Sequence, residues 1–301
     1  MSQPSGIASS FSFLDELVLR TPVLPFISQL DEGRINSLLT DGDFMEAVYL
    51  ASPILYTECT KLRNGTIHDE GEIRKIRTSL IKYYQRMYSR CTPFGLFAGC
   101  SLVKWSKDVS LIKLPSNNFF RSTRLDMHYL CALSQHLCTA PVIKKRLRFF
   151  PNNSTYKMGS ELRYIEYRYL KGRRVHQISS VLYTEYLQAV LSIAAGGATI
   201  EILKKILLSQ QDVTDEEATE FIDELITSQV LISEMDPAIT GDEFVHQLIT
   251  TLQRINVPES EYITVVIEKL KTIITDLTKL DSQFHNSPDT YISLCEKIRE
   301  I

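Results

Sequence analysis

No apolar run in this 301-residue chain reaches the ~18 residues needed to span a bilayer, so no transmembrane segment is expected. The N-terminal Met1-Ser-Gln-Pro-Ser-Gly6 lacks a basic stretch ahead of an apolar core and is no secretory signal. The six cysteines (Cys59, Cys91, Cys100, Cys131, Cys138, Cys295) contain no CxxC pair, and the 91/100 and 131/138 spacings do not suit a zinc knuckle. The six histidines are scattered without an HExxH, so no metal is expected. Cys131 and Cys138 fall in an apolar helical pattern and read as small buried hydrophobes. What remains is ordinary: 44% hydrophobic and 23% charged residues, a cytoplasmic globular chain of one large or two modest domains that folds without disulfide or metal.

Charge is unevenly spread. Lys61–Arg174 holds 23 Lys or Arg against 7 Asp or Glu, a net of +16, and the rest carries a net of -19. Such asymmetry suggests that the middle third meets a polyanion. Folding of the basic third against the acidic remainder would partly neutralise it, and the two readings are compatible. Ile206–Gln253 has no Lys or Arg at all, so it cannot follow a phosphate backbone, whose affinity comes from basic side chains displacing counterions.

The segment Phe11–Ile27 reads as extended, with Pro22 and Pro25 keeping it out of helix. Leu30–Ala51 has helical spacing broken at Asp41-Gly42-Asp43 and stopped at Ser52-Pro53; Lys61–Gly71 reads as a loop. Arg74–Arg90 is a helix with Ile76, Leu80, Tyr84 and Met87 on one face, and it ends before Pro93 and Gly95. A strand over Leu96–Lys104 and a helix over Leu125–Cys138 follow. Alternating segments Leu162–Leu170 and Arg173–Ser179, joined by Lys171-Gly172, signal a hairpin. Helices at Tyr183–Ala195, Thr199–Leu208 and, behind the Thr214/Glu217 capping box, to Ser228 lead to a strand at Val230–Ser233. This order resembles a winged helix-turn-helix module. Beyond Pro237, Tyr262, Val266, Leu270, Ile273, Leu277, Leu280 and Phe284 form a near-heptad stripe, read as a packed bundle face.

The segment Tyr83–Gly99 carries the most chemistry. Arg86 and Arg90, one turn apart at a helix end that stops in a glycine turn, make a cationic fork suited to phosphate or carboxylate. Lys82, the Thr92 hydroxyl, Arg121, Arg124 and the N–H groups of the turn could assist. Taken alone, the pattern reads more readily as a pair of solvated or salt-bridged arginines.

The run Arg86-Met87-x-x-Arg90-x-Thr92-Pro-Phe-Gly-Leu-Phe-Ala-Gly99, followed by Arg124-Leu-Asp-Met127 and the stretches Pro151–Tyr156 and Leu162–Tyr167, resembles lantibiotic dehydratases of the transfer-RNA-dependent type. The resemblance runs in order through most of residues 10–245. It implies that Ser and Thr of a ribosomal precursor peptide receive glutamate from glutamyl-tRNA, which a further domain then eliminates. It further implies that Arg86, Arg90, Thr92 and Asp126 serve glutamylation, and that Lys82, Arg86, Arg90, Arg121 and Arg124 meet the transfer RNA. As a bare feature, Asp126 reads equally as a helix cap. The winged-helix-like segment matches the family's leader-peptide recognition element, where the leader adds a strand to the hairpin edge. Tyr164, Val175, Ala218, Phe221, Ile222 and Leu225 would line that groove, or else form the module's own core.

The expected fold is α+β: a basic part over residues 1–145, a winged-helix-like peptide-recognition module over 146–237, and a helical, incomplete extension over 238–301. The expected function is the N-terminal portion of a dehydratase that glutamylates a precursor peptide, with glutamyl-tRNA as co-substrate and no other cofactor, inactive as this portion alone. Its partners would be the leader peptide, glutamyl-tRNA and a chain carrying the remaining glutamylation and elimination parts. The alternative is a non-catalytic subunit that presents the leader to a separate enzyme. Duplex DNA is not expected as a partner: the third helix of the module carries Asp215, Glu216, Glu217, Glu220, Asp223 and Glu224 and no basic residue.

Overall fold

In the computed structural model, residues 14–27, 32–105, 120–171, 173–210, 213–238, 240–255 and 260–301 are described. The chain is mixed α and β and divides into two compact units, one of Met1–Thr123 with Asp276–Glu300, the other of Arg124–Thr275 with Ile301.

The first unit opens with strand β1 (Glu16–Pro22) and helices α1 (Glu32–Leu38), α2 (Gly42–Ala51), α3 (Pro53–Arg63) and α4 (Glu70–Ser89), followed by strand β2 (Ala98–Lys104). β1 and β2 pair antiparallel from Glu16↔Lys104 to Pro22↔Ala98. Each of α2, α3 and α4 begins where a side-chain oxygen accepts a helix-start N–H: Asp41 from Phe44, Ser52 from Leu55, Asp69 from Glu72. Ser52-Pro53 therefore stops α2 and starts α3 at once, with Pro53 in the first turn, where its missing N–H costs nothing. The expected loop at 61–71 shrinks to the residues between α3 and α4. The apolar face of α4 (Ile76, Leu80, Tyr84, Met87) is buried as its spacing predicts, in a cluster with Phe44, Ala47, Val48, Cys59 and Phe97.

The second unit runs through α5 (Met127–Thr139), α6 (Pro141–Lys144), β3 (Phe149–Pro151), β4 (Tyr156–Met158), β5 (Glu161–Leu170), β6 (Arg173–Leu182), α7 (Glu185–Ala194), α8 (Ile200–Leu208), α9 (Asp215–Thr227), β7 (Leu231–Ser233) and α10 (Phe244–Ile255). The Thr214/Glu217 capping box is formed in full. β5 and β6 make the expected hairpin, ten residues on each side, and β4 pairs with β5 on the other edge. The strand after α9 does not join this sheet: β7 pairs with β3, Phe149↔Ser233 to Pro151↔Leu231. Helix α11 (Glu261–Asp281) buries Ile263, Val266, Ile267 and Leu270 in the second unit; Tyr262 is half-exposed, and Phe284 lies beyond the helix, half-exposed beneath the Arg121 guanidinium. The last helix, α12 (Pro288–Arg299), returns to the first unit.

Candidate functional site

Helix α4 ends at the motif. Arg86 lies in its last turn, and Arg90 is the cap residue, in extended backbone (φ -121°, ψ 124°) with its N–H donating to the Arg86 carbonyl. Gly95 takes φ +50°, a left-handed conformation that disfavours a side chain, and Phe97 N–H closes the turn by donating to the Phe94 carbonyl at 3.0 Å. The turn thus folds back toward the helix. The Arg86 guanidinium carbon lies 4.7 Å from the centroid of the Phe94 ring, and its Nη2 donates to the Thr92 carbonyl at 3.5 Å. Lys82, Arg90 and Thr92 are exposed.

The cations of α4 differ from those that folding pairs. Lys144 pairs with Asp223, Arg148 with Glu234, and Arg121 with Glu46, so part of the basic third is neutralised by the acidic remainder. None of Arg74, Lys75, Arg77, Lys82, Arg86 or Arg90 forms an ion pair among the described residues. Arg74, Lys82, Arg86 and Arg90 recur at multiples of four, so this unpaired charge forms a stripe.

Arg121 is elsewhere and occupied. Its side chain is 8% exposed and grips Glu46, itself 1% exposed, through two bonds of 2.8 and 3.0 Å. Tyr291 and Asn286 also donate to Glu46. Burial pushes the Glu46 carboxyl up, but the bonds from Arg121, Tyr291 and Asn286 outweigh it and hold the group below its ordinary value. Arg124, in the second unit, is exposed with a loose 3.8 Å contact to Glu243. Asp126, in the same unit, caps α5 by accepting from His128 N–H at 2.8 Å.

The six residues expected to line a peptide groove separate into two groups. Tyr164, Ala218, Ile222 and Leu225 are buried in the core of the second unit, with Phe221 packed against it; Val175 is exposed on β6. The hairpin offers another surface. β6 is exposed along almost its whole length, with Ile178 68% and Leu182 70% exposed. Beyond the end of β4, the far edge of β5 is closed by side chains: Ser154 Oγ accepts from Ile165 N–H, Asn152 donates to the Ile165 carbonyl, and Gln229 both accepts from Tyr167 N–H and donates to its carbonyl. The outer edge of β6 has no strand beside it among the described residues.

A cavity of about 230 Å³ lies in the first unit beside Gly42 and His285, between Tyr49, Tyr56 and Arg63, and none of the expected site residues lines it. Among the described residues no cluster of His, Cys, Asp and Glu could hold a metal ion, and no helix is long and apolar enough to cross a membrane. Burial pushes the Cys59 and Cys138 thiols up to about 11, which leaves them unreactive.

The family described as lantibiotic dehydratase, N terminus, matches residues 40–301. The chain belongs to this family. Nisin biosynthesis protein NisB of Lactococcus lactis subsp. lactis is 26% identical over 249 residues, 82% of this chain and 24% of that protein. Epidermin biosynthesis protein EpiB of Staphylococcus epidermidis is 24% identical over 242 residues, 78% of this chain and 24% of the relative. The chain thus spans about a quarter of the length of these relatives. Among solved structures, the tRNA-dependent lantibiotic dehydratase MibB from Microbispora sp. 107891 shares the fold at TM-score 0.66 and 19% identity, over 95% of this chain and 27% of that one. The glutamylation domain TbtB of thiomuracin biosynthesis, bound to 5'-phosphodesmethylglutamycin, aligns at TM-score 0.55 and 16% identity, over 89% of this chain and 31% of that one.

Three residues of this lantibiotic dehydratase region matter to the surfaces above and escape a reading of charge and spacing. Phe94 is an aromatic inside a turn, and its partner Arg86 lies eight residues away. Glu46 is an acid among the apolar residues of α2, Phe44, Met45, Ala47 and Val48; an acid at such a position needs a buried cation. Gln229 takes φ +62°, which sequence does not announce for a glutamine.

Proposed function

We propose that this region holds transfer RNA along α4 and a precursor peptide along β6, so that glutamate passes from glutamyl-tRNA to Ser or Thr of the peptide. The unpaired cationic stripe of α4, ending in Arg86 and Arg90, carries the reading. RNA is recognised largely through backbone shape, with contacts to phosphates and 2'-hydroxyls, which favours a row of free cations over a pocket. In the transfer, a Ser or Thr Oγ attacks the glutamyl ester carbonyl, a new ester forms, and the terminal ribose hydroxyl leaves with the proton. Arg86 and Arg90 would meet phosphate or the charge that develops on the carbonyl oxygen, and Thr92 would position it. Lys82 extends the stripe, and Arg124 offers an exposed cation in the second unit. Arg121 has no place in this set, because its donors are committed to Glu46. Asp126 caps α5 through one carboxylate oxygen, and the other would serve the orienting role. Glutamyl-tRNA is the sole co-substrate in this reading, and it places the chain in the cytoplasm.

Residues 146–237 serve as a winged-helix-like peptide module between a basic part at 1–145 and a helical extension from 238. The leader adds a strand antiparallel to β6, where backbone groups supply affinity and Val175, Ile178 and Leu182 supply apolar contact. Tyr164, Ala218, Ile222 and Leu225 back this surface from the core and do not touch the peptide. A second reading, a non-catalytic subunit that only presents the leader, draws on the same open edge. A partner chain carrying elimination belongs to both readings.

The test is binding of the chain to glutamate transfer RNA, bulk transfer RNA and duplex DNA at two salt concentrations. Arg86→Ala/Arg90→Ala is expected to weaken transfer-RNA binding by tenfold or more and to lower the salt slope by about 1.4 to 1.8, at ~0.7–0.9 per lost phosphate contact. Unchanged binding in the double variant removes the RNA role and leaves the peptide edge.

A further inference from the structure

Arg86 and Arg90 stand one turn apart and are built differently. Arg90 is exposed, with no hydrogen bond from its guanidinium and no ion pair among the described residues. Arg86 is half-buried over the Phe94 ring, and its Nε is shut off from solvent without an acceptor. Arg121 Nε, in the buried pair with Glu46, is shut off in the same way, so what distinguishes Arg86 from Arg90 is the aromatic ring beneath it.

The ring beneath Arg86 is itself braced. Phe94 stacks on the fully buried Phe97, with centroids 5.8 Å apart and planes at 25°. Phe97 in turn packs on Tyr83, three residues before Arg86 on the same helix, at 5.5 Å. Tyr83, Phe97, Phe94 and Arg86 therefore form a continuous stack that begins in the core and ends at a cation. A guanidinium over an aromatic face is attracted by the ring quadrupole, and its planar shape lets the ring set its tilt, which a lysine ammonium does not allow.

We propose that Phe94 is a positioning residue. Its ring fixes the Arg86 guanidinium so that Arg86 offers directional donors to one anionic oxygen of the transfer RNA, while Arg90 acts as a mobile cation toward backbone phosphate. The proposal rests on the transfer-RNA reading above and concerns how that site discriminates between its two arginines.

The experiment measures glutamate transfer-RNA affinity of the chain for Phe94→Leu, Phe94→Tyr, Arg86→Lys, Arg90→Lys, and Phe94→Leu combined with Arg86→Ala. Loss of one cation–π contact predicts a three- to tenfold weakening, roughly, for Phe94→Leu, which keeps bulk but has no ring. Phe94→Tyr keeps the ring and restores binding to within about twofold. The salt slope stays unchanged in Phe94→Leu, since no charge is lost. Arg90→Lys binds nearly as well as the parent, whereas Arg86→Lys falls as far as Phe94→Leu. Phe94→Leu adds nothing once Arg86 is alanine, because the two act through one contact. Full binding by Phe94→Leu, additivity with Arg86→Ala, or equal tolerance of lysine at 86 and 90 would overturn the proposal. If Phe94→Leu lowers the melting temperature, the comparison of the two lysine variants decides, since both keep the residues of the turn and the positive charge. A wild-type chain that binds no better than Arg86→Ala/Arg90→Ala defeats the RNA reading instead, a separable outcome.

Discussion

Glu46 carries a negative charge into the interior of the first unit, where Arg121, Tyr291 and Asn286 meet it. Removing one member of such a buried pair strands the other's charge, at a cost of roughly 3–5 kcal/mol. Arg121→Ala is expected to lose about that much in chemical denaturation while leaving the salt slope of RNA binding unchanged; a lowered slope would return Arg121 to the phosphate contacts. The carboxyl is held below its ordinary value of 4.5, so its contribution is fully present above pH 4.5 and fades as pH falls through the lowered folded value. Glu46→Gln removes this titration, and its stability profile is expected to fall less steeply in acid than that of the parent. At this scale residue type was legible and use was not. Arg90 and Arg121 are both arginines in the basic third, and only tertiary structure brings Glu46, 75 residues away, onto one of them.

Among elements, β6 is the long strand of the hairpin with an open edge. Ten residues with an open edge and exposed Val175, Ile178 and Leu182 invite strand pairing, a liability that proteins usually blunt with short strands, charges or a covering segment. Ile178→Lys is expected to weaken leader-peptide binding by about tenfold with little change in melting temperature, read by titrating a labelled leader peptide; equal affinity would move the peptide off this edge. Gln229 guards the opposite edge, so Gln229→Ala should destabilise the hairpin by about 1–2 kcal/mol through two lost backbone partners. Hydrogen-exchange rates at Tyr167 check it. The hairpin, the α4 face and the capping box were all readable, because each rests on local periodicity or a fixed spacing. Helix α3 was not, since Ser52-Pro53 punctuates both the end of one helix and the start of the next. Three-residue strands such as β3 and β7 carry too few residues for alternation to show, and their pairing is long-range.

Across the whole molecule, the charge division visible in composition becomes a division of labour. The basic third is neutralised in part by acids elsewhere in the chain, and α4 carries a run of its cations that form no ion pair among the described residues. The acidic span without Lys or Arg, Ile206–Gln253, includes α9 and supplies pairing acids such as Asp223 and Glu234. Transfer RNA should therefore touch one part of the surface and avoid another, whichever oxygen Arg86 meets. The most direct measurement is amide hydrogen exchange of the chain with and without glutamate transfer RNA at low salt. Protection over residues 82–97, with none over 206–253, is the expected result. Protection centred on α9, or none at the end of α4, would contradict the assignment of this region to RNA.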